Sequence, residues 1–164
     1  MPLLFLVQKQ NENWIPLKAI KYLAKMLEIS YIQVYEVATF YSMYNLSPVG
    51  KYFVQICTTT PCMIRGAEKL VEVCKNKISQ NQRKLSINKT CSWIEVECLG
   101  ACINAPMMQI NDDYFEDLDK KNTEIIIDMI LDNKSPKPGS YKNRKSSEPE
   151  YKRTTLTKLN DAER

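Results

Sequence analysis

Cysteine supplies most of the chemical reactivity available to this 164-residue chain, which has six cysteines and no histidine. Four of the six fall in two short pairs, Cys57-Thr-Thr-Thr-Pro-Cys62 and Cys98-Leu-Gly-Ala-Cys102, with 35 residues between Cys62 and Cys98. Four thiolates delivered from two loops match an all-cysteine [2Fe-2S] site, in which each iron takes two sulfur donors beside its bridging sulfides. The wide first loop leaves room for the sulfides and for backbone N–H groups directed at sulfur. The threonines and Gly100 serve such loops as small or hydrogen-bonding residues. A structural zinc site built from four cysteines is the lesser alternative, since its pairs are usually closed C-x2-C knuckles with shorter separations. A thiol–disulfide oxidoreductase would place C-x-x-C at a helix start to lower the attacking thiol's pKa, and C-x4-C is too wide for that. Histidine-based catalysis and mixed Cys/His metal sites are excluded by composition.

The two remaining cysteines read differently. Cys74 shares a helical stripe with Ala67, Leu70 and Val71, where a lone thiol behaves as a small hydrophobe. Cys91 stands alone ahead of a strand. Neither is expected to be a ligand.

Each pair follows a strand-like run, Tyr52-Phe53-Val54-Gln55-Ile56 before the first and Trp93-Ile94-Glu95-Val96 before the second, so both sit where a buried strand ends, at one edge of a sheet. Upstream, Leu17, Ile20, Leu23, Ala24 and Leu27 recur at helical spacing after Pro16, which predicts an amphipathic helix over residues 16–28. Ser30 and Gln33 form a capping box that opens a second helix through Val34, Val37, Ala38 and Tyr41. Its aromatic residues Tyr35, Phe40, Tyr41 and Tyr44 are expected in the core rather than at a cofactor. Residues 3–10 also read as helical. Pro48 and Gly50 mark a boundary, after which come a strand at 51–57, a helix from Thr60, a polar stretch at 78–91, a strand, a hairpin through Asn111-Asp112-Asp113 and a last helix at about 121–132.

Strand, helix, strand, hairpin, helix is the order of a thioredoxin-like α/β layer with a right-handed first crossover. The predicted fold class is therefore α/β: a helical annex at 1–48, a thioredoxin-like [2Fe-2S] domain at 49–134, and an extended partner-binding tail at 135–164. The tail has almost no apolar residues to bury and is expected to lie along a partner.

Charge and motifs narrow the function further. The net charge of +4 divides as +1 over residues 1–50, −1 over 51–134 and +4 over 135–164. The folded part thus offers no basic face for nucleic acid. The four glycines, Gly50, Gly66, Gly100 and Gly139, are too scattered for a phosphate-cradling loop, so NADH or flavin is expected on a partner. No run of 18 apolar residues is present and the opening residues lack a secretory signal pattern, so neither membrane insertion nor export is expected.

Several motifs carry a family resemblance: Tyr35-Glu-Val-Ala-Thr-Phe-Tyr41, Val49-Gly-Lys-Tyr52, the two cysteine pairs, Asn104-Ala-Pro106, and Gln109 to Leu118. Together they resemble the family of the 24 kDa subunit of respiratory complex I, over about residues 3–150. The loop ending in Asn88-Lys-Thr-Cys91-Ser departs from that family's acidic-polar pattern. The resemblance implies one [2Fe-2S] cluster held by Cys57, Cys62, Cys98 and Cys102, and a partner of the 51 kDa flavoprotein type that carries FMN and the NADH site. It further implies a neighbouring iron–sulfur subunit and a place in the peripheral arm of the complex, on the matrix side of the mitochondrial inner membrane or the cytoplasmic side of a bacterial one. The Pro136-Lys-Pro-Gly139 tail favours the complex I subunit over the small subunit of an NAD-linked hydrogenase or formate dehydrogenase.

Overall fold

The computed structural model describes residues 1–145, 147–149 and 151. Three helices come first: α1 (Pro2–Gln10), α2 (Leu17–Met26) and α3 (Tyr31–Phe40). Their apolar stripes bury Leu4, Ile15, Ile20, Leu23, Ala24, Val34, Ala38 and Tyr44 in a core of their own. At the start of α3 the Gln33 side-chain oxygen accepts from both the backbone N–H and the hydroxyl of Ser30, at 3.0 Å each, the reach-back expected of a capping box. Buried Gln8 links the ends of the annex, donating to the Met43 carbonyl at 2.9 Å and accepting from the Asn45 amide at 2.7 Å.

The aromatic residues in and just after α3 divide. Tyr44 is buried, but Phe40 is 80% exposed and Tyr41 39% exposed, contrary to the expectation that all four pack inside. Helical geometry explains Phe40, which lies two residues past buried Ala38, about 200° around the axis and so on the opposite face; Tyr41 is the extended residue that ends the helix.

The α/β layer begins with β1 (Tyr52–Cys57), then α4 (Thr60–Ile64), α5 (Ala67–Lys77), β2 (Cys91–Val96), a 3-10 turn at Cys102–Asn104, β3 (Met108–Ile110), β4 (Asp113–Glu116), α6 (Lys120–Leu131) and the two-residue β5 (Gly139–Ser140). The sheet order is β2-β1-β3-β4-β5. β1 and β2 are parallel, with Tyr52 opposite Cys91 and Cys57 opposite Val96; β3 runs antiparallel to both β1 and β4. The single helix expected from Thr60 is two, because Gly66 takes φ +98, a left-handed conformation that interrupts helical hydrogen bonding and that glycine adopts without a Cβ penalty.

Period-two alternation decides which side chains face the helices. Tyr52, Val54 and Ile56 of β1, Cys91 and Trp93 of β2, Met108 and Ile110 of β3, and Phe115 of β4 join Leu70, Val71 and Cys74 of α5 and Ile126, Ile127 and Ile130 of α6 in one core. Each fully buried branched aliphatic there contributes about 1.5–3 kcal/mol of transfer free energy. The Trp93 indole donates to the Ser79 carbonyl at 2.7 Å, so its burial leaves no unpaired donor. The loop before β2 returns along that strand's outer edge, where Arg83 N–H donates to Trp93 O and Ser86 N–H to Cys91 O, covering an edge that would otherwise present free backbone groups.

The segment expected to be tail from residue 135 is partly domain. Ser140 pairs with Glu116 and Gly139 with Phe115 in a parallel ladder, Pro136 is buried, and the Tyr141 ring sits 6.4 Å from that of Phe115. Composition alone omits what orders it, the free backbone edge of β4 and a buried carboxylate at Asp117. Residues 152–164, on which the rest of the tail expectation falls, lie outside the described residues.

Candidate metal centre

The parallel pairing of β1 and β2 sends both strands in one direction, so both cysteine loops leave the sheet at the same end. Cys57 is the last residue of β1, and Cys62 lies in the short helix α4 that Pro61 helps to start. Both are buried, within a small cluster with Ala67, Ala105 and Met107 against which Leu99 and Ala101 of the second loop pack. Cys98 follows β2 and Cys102 opens the 3-10 turn; both are exposed. The site thus has an inner pair and an outer pair.

Within the outer pair the two Sγ atoms are 3.6 Å apart. Two thiolates on one tetrahedral metal with bonds of about 2.3 Å stand about 3.7 Å apart, so this pair is spaced for a single metal atom. The Gly100 N–H donates to Cys98 Sγ at 3.4 Å. Gly100 has φ +82 and open space where a Cβ would stand, so backbone conformation, and not crowding, asks for glycine here.

The inner pair is tied to the outer loop through the backbone. Burial pushes the Cys57 thiol upward, but hydrogen bonds from the Thr59 side chain, the Leu99 and Thr59 backbone amides and the Cys62 thiol outweigh it and leave Cys57 below its ordinary value. The Thr59 hydroxyl lies 3.3 Å from Cys57 Sγ. Cys62 is pushed up to about 12, by burial first and then by its bond and charge interaction with Cys57, with the Met107 amide acting the other way. Cys102 is raised, chiefly by its hydrogen bond with Cys98. A cation that takes thiolates here would displace the protons favoured on Cys62 and Cys102 in the metal-free chain. The Leu99 amide lies between Cys98 and Cys102 in sequence yet serves Cys57, so the two loops converge.

Other groups hold this arrangement. The Tyr114 hydroxyl donates to the Leu99 carbonyl at 2.7 Å, fixing the peptide next to the one aimed at Cys57. Arg65 Nε donates to the Ala105 carbonyl at 3.4 Å. Asn104 Nδ2 donates to Glu116 Oε2 at 2.6 Å, and Asp117 N–H to the Asn104 carbonyl at 2.7 Å. Sequence reasoning found the four cysteines, Thr59 and Gly100 but missed these supports. Backbone amides leave no side-chain signature, and a lone Tyr or Arg has no periodic pattern.

Cys74 and Cys91 are both buried in the main core and burial raises both thiols, which makes them inert. Among the described residues, no group of three or more Cys, Asp or Glu side chains is gathered so as to hold a single metal ion.

A cleft of about 570 Å3 opens between the annex and the polar sheet face, lined by Phe5, Asn45, Phe53, Gln55, Cys98 and Leu99 among others. The Lys9–Asp112 ion pair bridges its two sides.

Residues 1–131 match the family described as thioredoxin-like [2Fe-2S] ferredoxin. The chain is 52% identical over 130 residues to an NADH-quinone oxidoreductase subunit of Rickettsia bellii, covering 79% of this chain and 78% of that protein. It is 44% identical over 156 residues to mitochondrial NADH dehydrogenase [ubiquinone] flavoprotein 2 of Dictyostelium discoideum, covering 95% of this chain and 63% of that one. Among solved structures, an NAD+-reducing [NiFe]-hydrogenase in the air-oxidized state superposes with a TM-score of 0.69 at 16% identity, over 79% of this chain and 23% of the hydrogenase chain. That last likeness concerns fold alone.

Proposed function

The chain belongs to the thioredoxin-like [2Fe-2S] ferredoxin family, and from that premise we propose that Cys57, Cys62, Cys98 and Cys102 hold one [2Fe-2S] cluster in an electron-transfer subunit of the NADH dehydrogenase module of complex I. The carrying observation is the meeting of two cysteine pairs at one end of the sheet, where Leu99 and Ala101 of the outer loop pack against Cys57 and Cys62 of the inner one. When bound, such a cluster supplies reversible one-electron exchange.

The chain's own residues do the rest. Cys57 and Cys62 lie beneath Leu99 and Ala101, which exclude water from the inner side. The amides of Leu99, Met107 and Gly100, with the Thr59 hydroxyl, point positive dipoles at sulfur, and such hydrogen bonds raise the reduction potential of a thiolate-held cluster. The exposed pair Cys98 and Cys102 leaves an open side for a redox partner. FMN and NADH belong on a flavoprotein partner of the 51 kDa type, since the scattered glycines here build no phosphate cradle. A neighbouring iron–sulfur subunit is the second expected contact. No helix among the described residues is long and apolar enough to cross a membrane, consistent with a place in the peripheral arm on the matrix or bacterial cytoplasmic side.

A small [2Fe-2S] subunit of an NAD-linked hydrogenase or formate dehydrogenase, the alternative weighed from the sequence, is the second reading. The 52% identity to the Rickettsia NADH-quinone oxidoreductase protein supports the first more strongly. Metal analysis of the anaerobically purified chain tests the site: two irons and two labile sulfides with a binuclear EPR signal on reduction are expected, and stoichiometric zinc without sulfide would refute it. The same chain alone should not oxidise NADH, and activity should appear on assembly with the flavoprotein.

A further inference from the structure

Arg144 lies past the residues 1–131 that the family description matches, in a segment whose composition reads as tail, yet its side chain reaches the cysteine loop. Nη1 donates to the carbonyl of Ile103, the residue after Cys102, and to Asp117 Oδ1, both at 3.1 Å. Nε and Nη2 donate to the Glu148 carbonyl at 3.0 and 2.7 Å. Side-chain exposure is 9% for Arg144 and zero for Asp117, so the pair is closed off from solvent.

The other Asp117 oxygen accepts from Ser140 Oγ at 2.6 Å, and Ser140 Oγ in turn accepts from the Arg144 amide at 3.2 Å. Asp117 N–H holds the Asn104 carbonyl. Two consecutive carbonyls of the 3-10 turn, Ile103 and Asn104, are thereby fastened to one buried ion pair. A planar guanidinium presents its donors in a fixed fork, which lets one side chain span the turn, the carboxylate and the Glu148 carbonyl.

From this geometry we infer that Arg144 is a positioning residue for the cysteine site, clamping the turn that carries Cys102 and coupling docking of the strap over residues 139–145 to retention of the cluster. The inference rests on the cluster reading above, and it concerns Arg144 acting through the backbone, with no contact to the metal centre itself. Deleting the guanidinium strands a buried carboxylate and frees the Ile103 carbonyl, so the strap and the turn loosen together.

The test uses the full chain, anaerobically reconstituted, as wild type, Arg144→Ala, Arg144→Gln and Arg144→Lys. Two measurements are made: the rate of cluster loss under a ferrous chelator, and amide hydrogen exchange of residues 102–105 in the metal-free chain. Arg144→Ala should lose its cluster about tenfold faster or more, in line with other supports of metal ligands, and residues 102–105 should exchange faster. Arg144→Lys keeps a positive charge opposite Asp117 but lacks the fork that also reaches the Ile103 carbonyl, so it should recover only part of the retention. If Arg144→Ala fails to fold, the milder Arg144→Gln carries the same expectation. Loss rates and exchange matching wild type in the folded variants would overturn the clamp. A wild-type chain that takes up no cluster would overturn the cluster reading instead, and the exchange measurement would still decide whether Arg144 holds the turn.

Discussion

Gly50 precedes β1, where its backbone passes the end of β2, and the approach is close enough to calculate with. A Cβ built there would stand 2.7 Å from the Thr90 carbonyl oxygen, 2.8 Å from its carbon and 2.9 Å from the Cys91 amide nitrogen, with φ at +85. All three atoms are backbone, so no rotamer change relieves the contact. For Gly50→Ala, the left-handed conformation costs about 1–2 kcal/mol and the forced backbone shift about 1–3 kcal/mol. The reduced freedom of the unfolded chain returns about 0.4–1 kcal/mol. The net loss is about 1–4.6 kcal/mol, against a total stability on the order of 5–15 kcal/mol. Gly66→Ala is the control, because Gly66 has φ +98 but only the flexible end of Lys69 nearby, at 3.9 Å; it carries the conformational cost without the clash. Urea unfolding of the full metal-free chains should place Gly50→Ala below Gly66→Ala by about 1–3 kcal/mol, the size of the clash. Equal midpoints and slopes for the two would refute the close approach. Cys57 lies seven residues along β1, roughly 20 Å away, so a folded Gly50→Ala chain should reconstitute with an unaltered EPR spectrum.

Serine at Cys57, Cys62, Cys98 or Cys102 should each disturb the cluster, while Cys74→Ala and Cys91→Ala should leave it intact; loss of the cluster in Cys74→Ala with native circular dichroism would show that a different four bind it. Stability of the metal-free chain should fall as pH rises above 9.0, the ordinary thiol value, because burial keeps Cys74 and Cys91 protonated in the fold while the same thiols ionise when unfolded. The unfolded state then binds fewer protons than the folded one, and stability declines with pH until the folded thiols ionise as well. Urea unfolding across pH 7–10.5 measures the slope, and Cys74→Ala should flatten it; an unchanged slope would count against Cys74 as its source.

What could be read in advance follows how each feature is encoded. Ile20, Leu23 and Ala24 announce α2 by spacing, Ser30 and Gln33 announce α3 by capping, and the β-branched and aromatic run from Tyr52 to Ile56 announces a buried strand. The two cysteine loops were legible because each ends such a strand. Phe40 misled because aromatic content says nothing of which face a helix turns to its neighbours. The strap was illegible for a different reason: two residues of β5 and one ion pair, Arg144 with Asp117, form no pattern, and their partners lie 24 to 41 positions away. Similarly, Tyr114 acts on the carbonyl of Leu99, a group every residue possesses.

The parallel register of β1 and β2 governs how the site comes into being. Cys57 and Cys98 belong to segments that become neighbours only after the intervening chain, with α4, α5 and the polar loop, has crossed back over the sheet. Pairings of such sequence separation form late, since loop closure precedes any contact that rewards it. The inner thiols are covered by Leu99 and Ala101 once the second loop docks, whereas the outer thiols stay open to solvent. On the proposed ligand set, a cluster donor would meet the exposed Cys98 and Cys102 first, and would reach the buried Cys57 and Cys62 only where the second loop lifts.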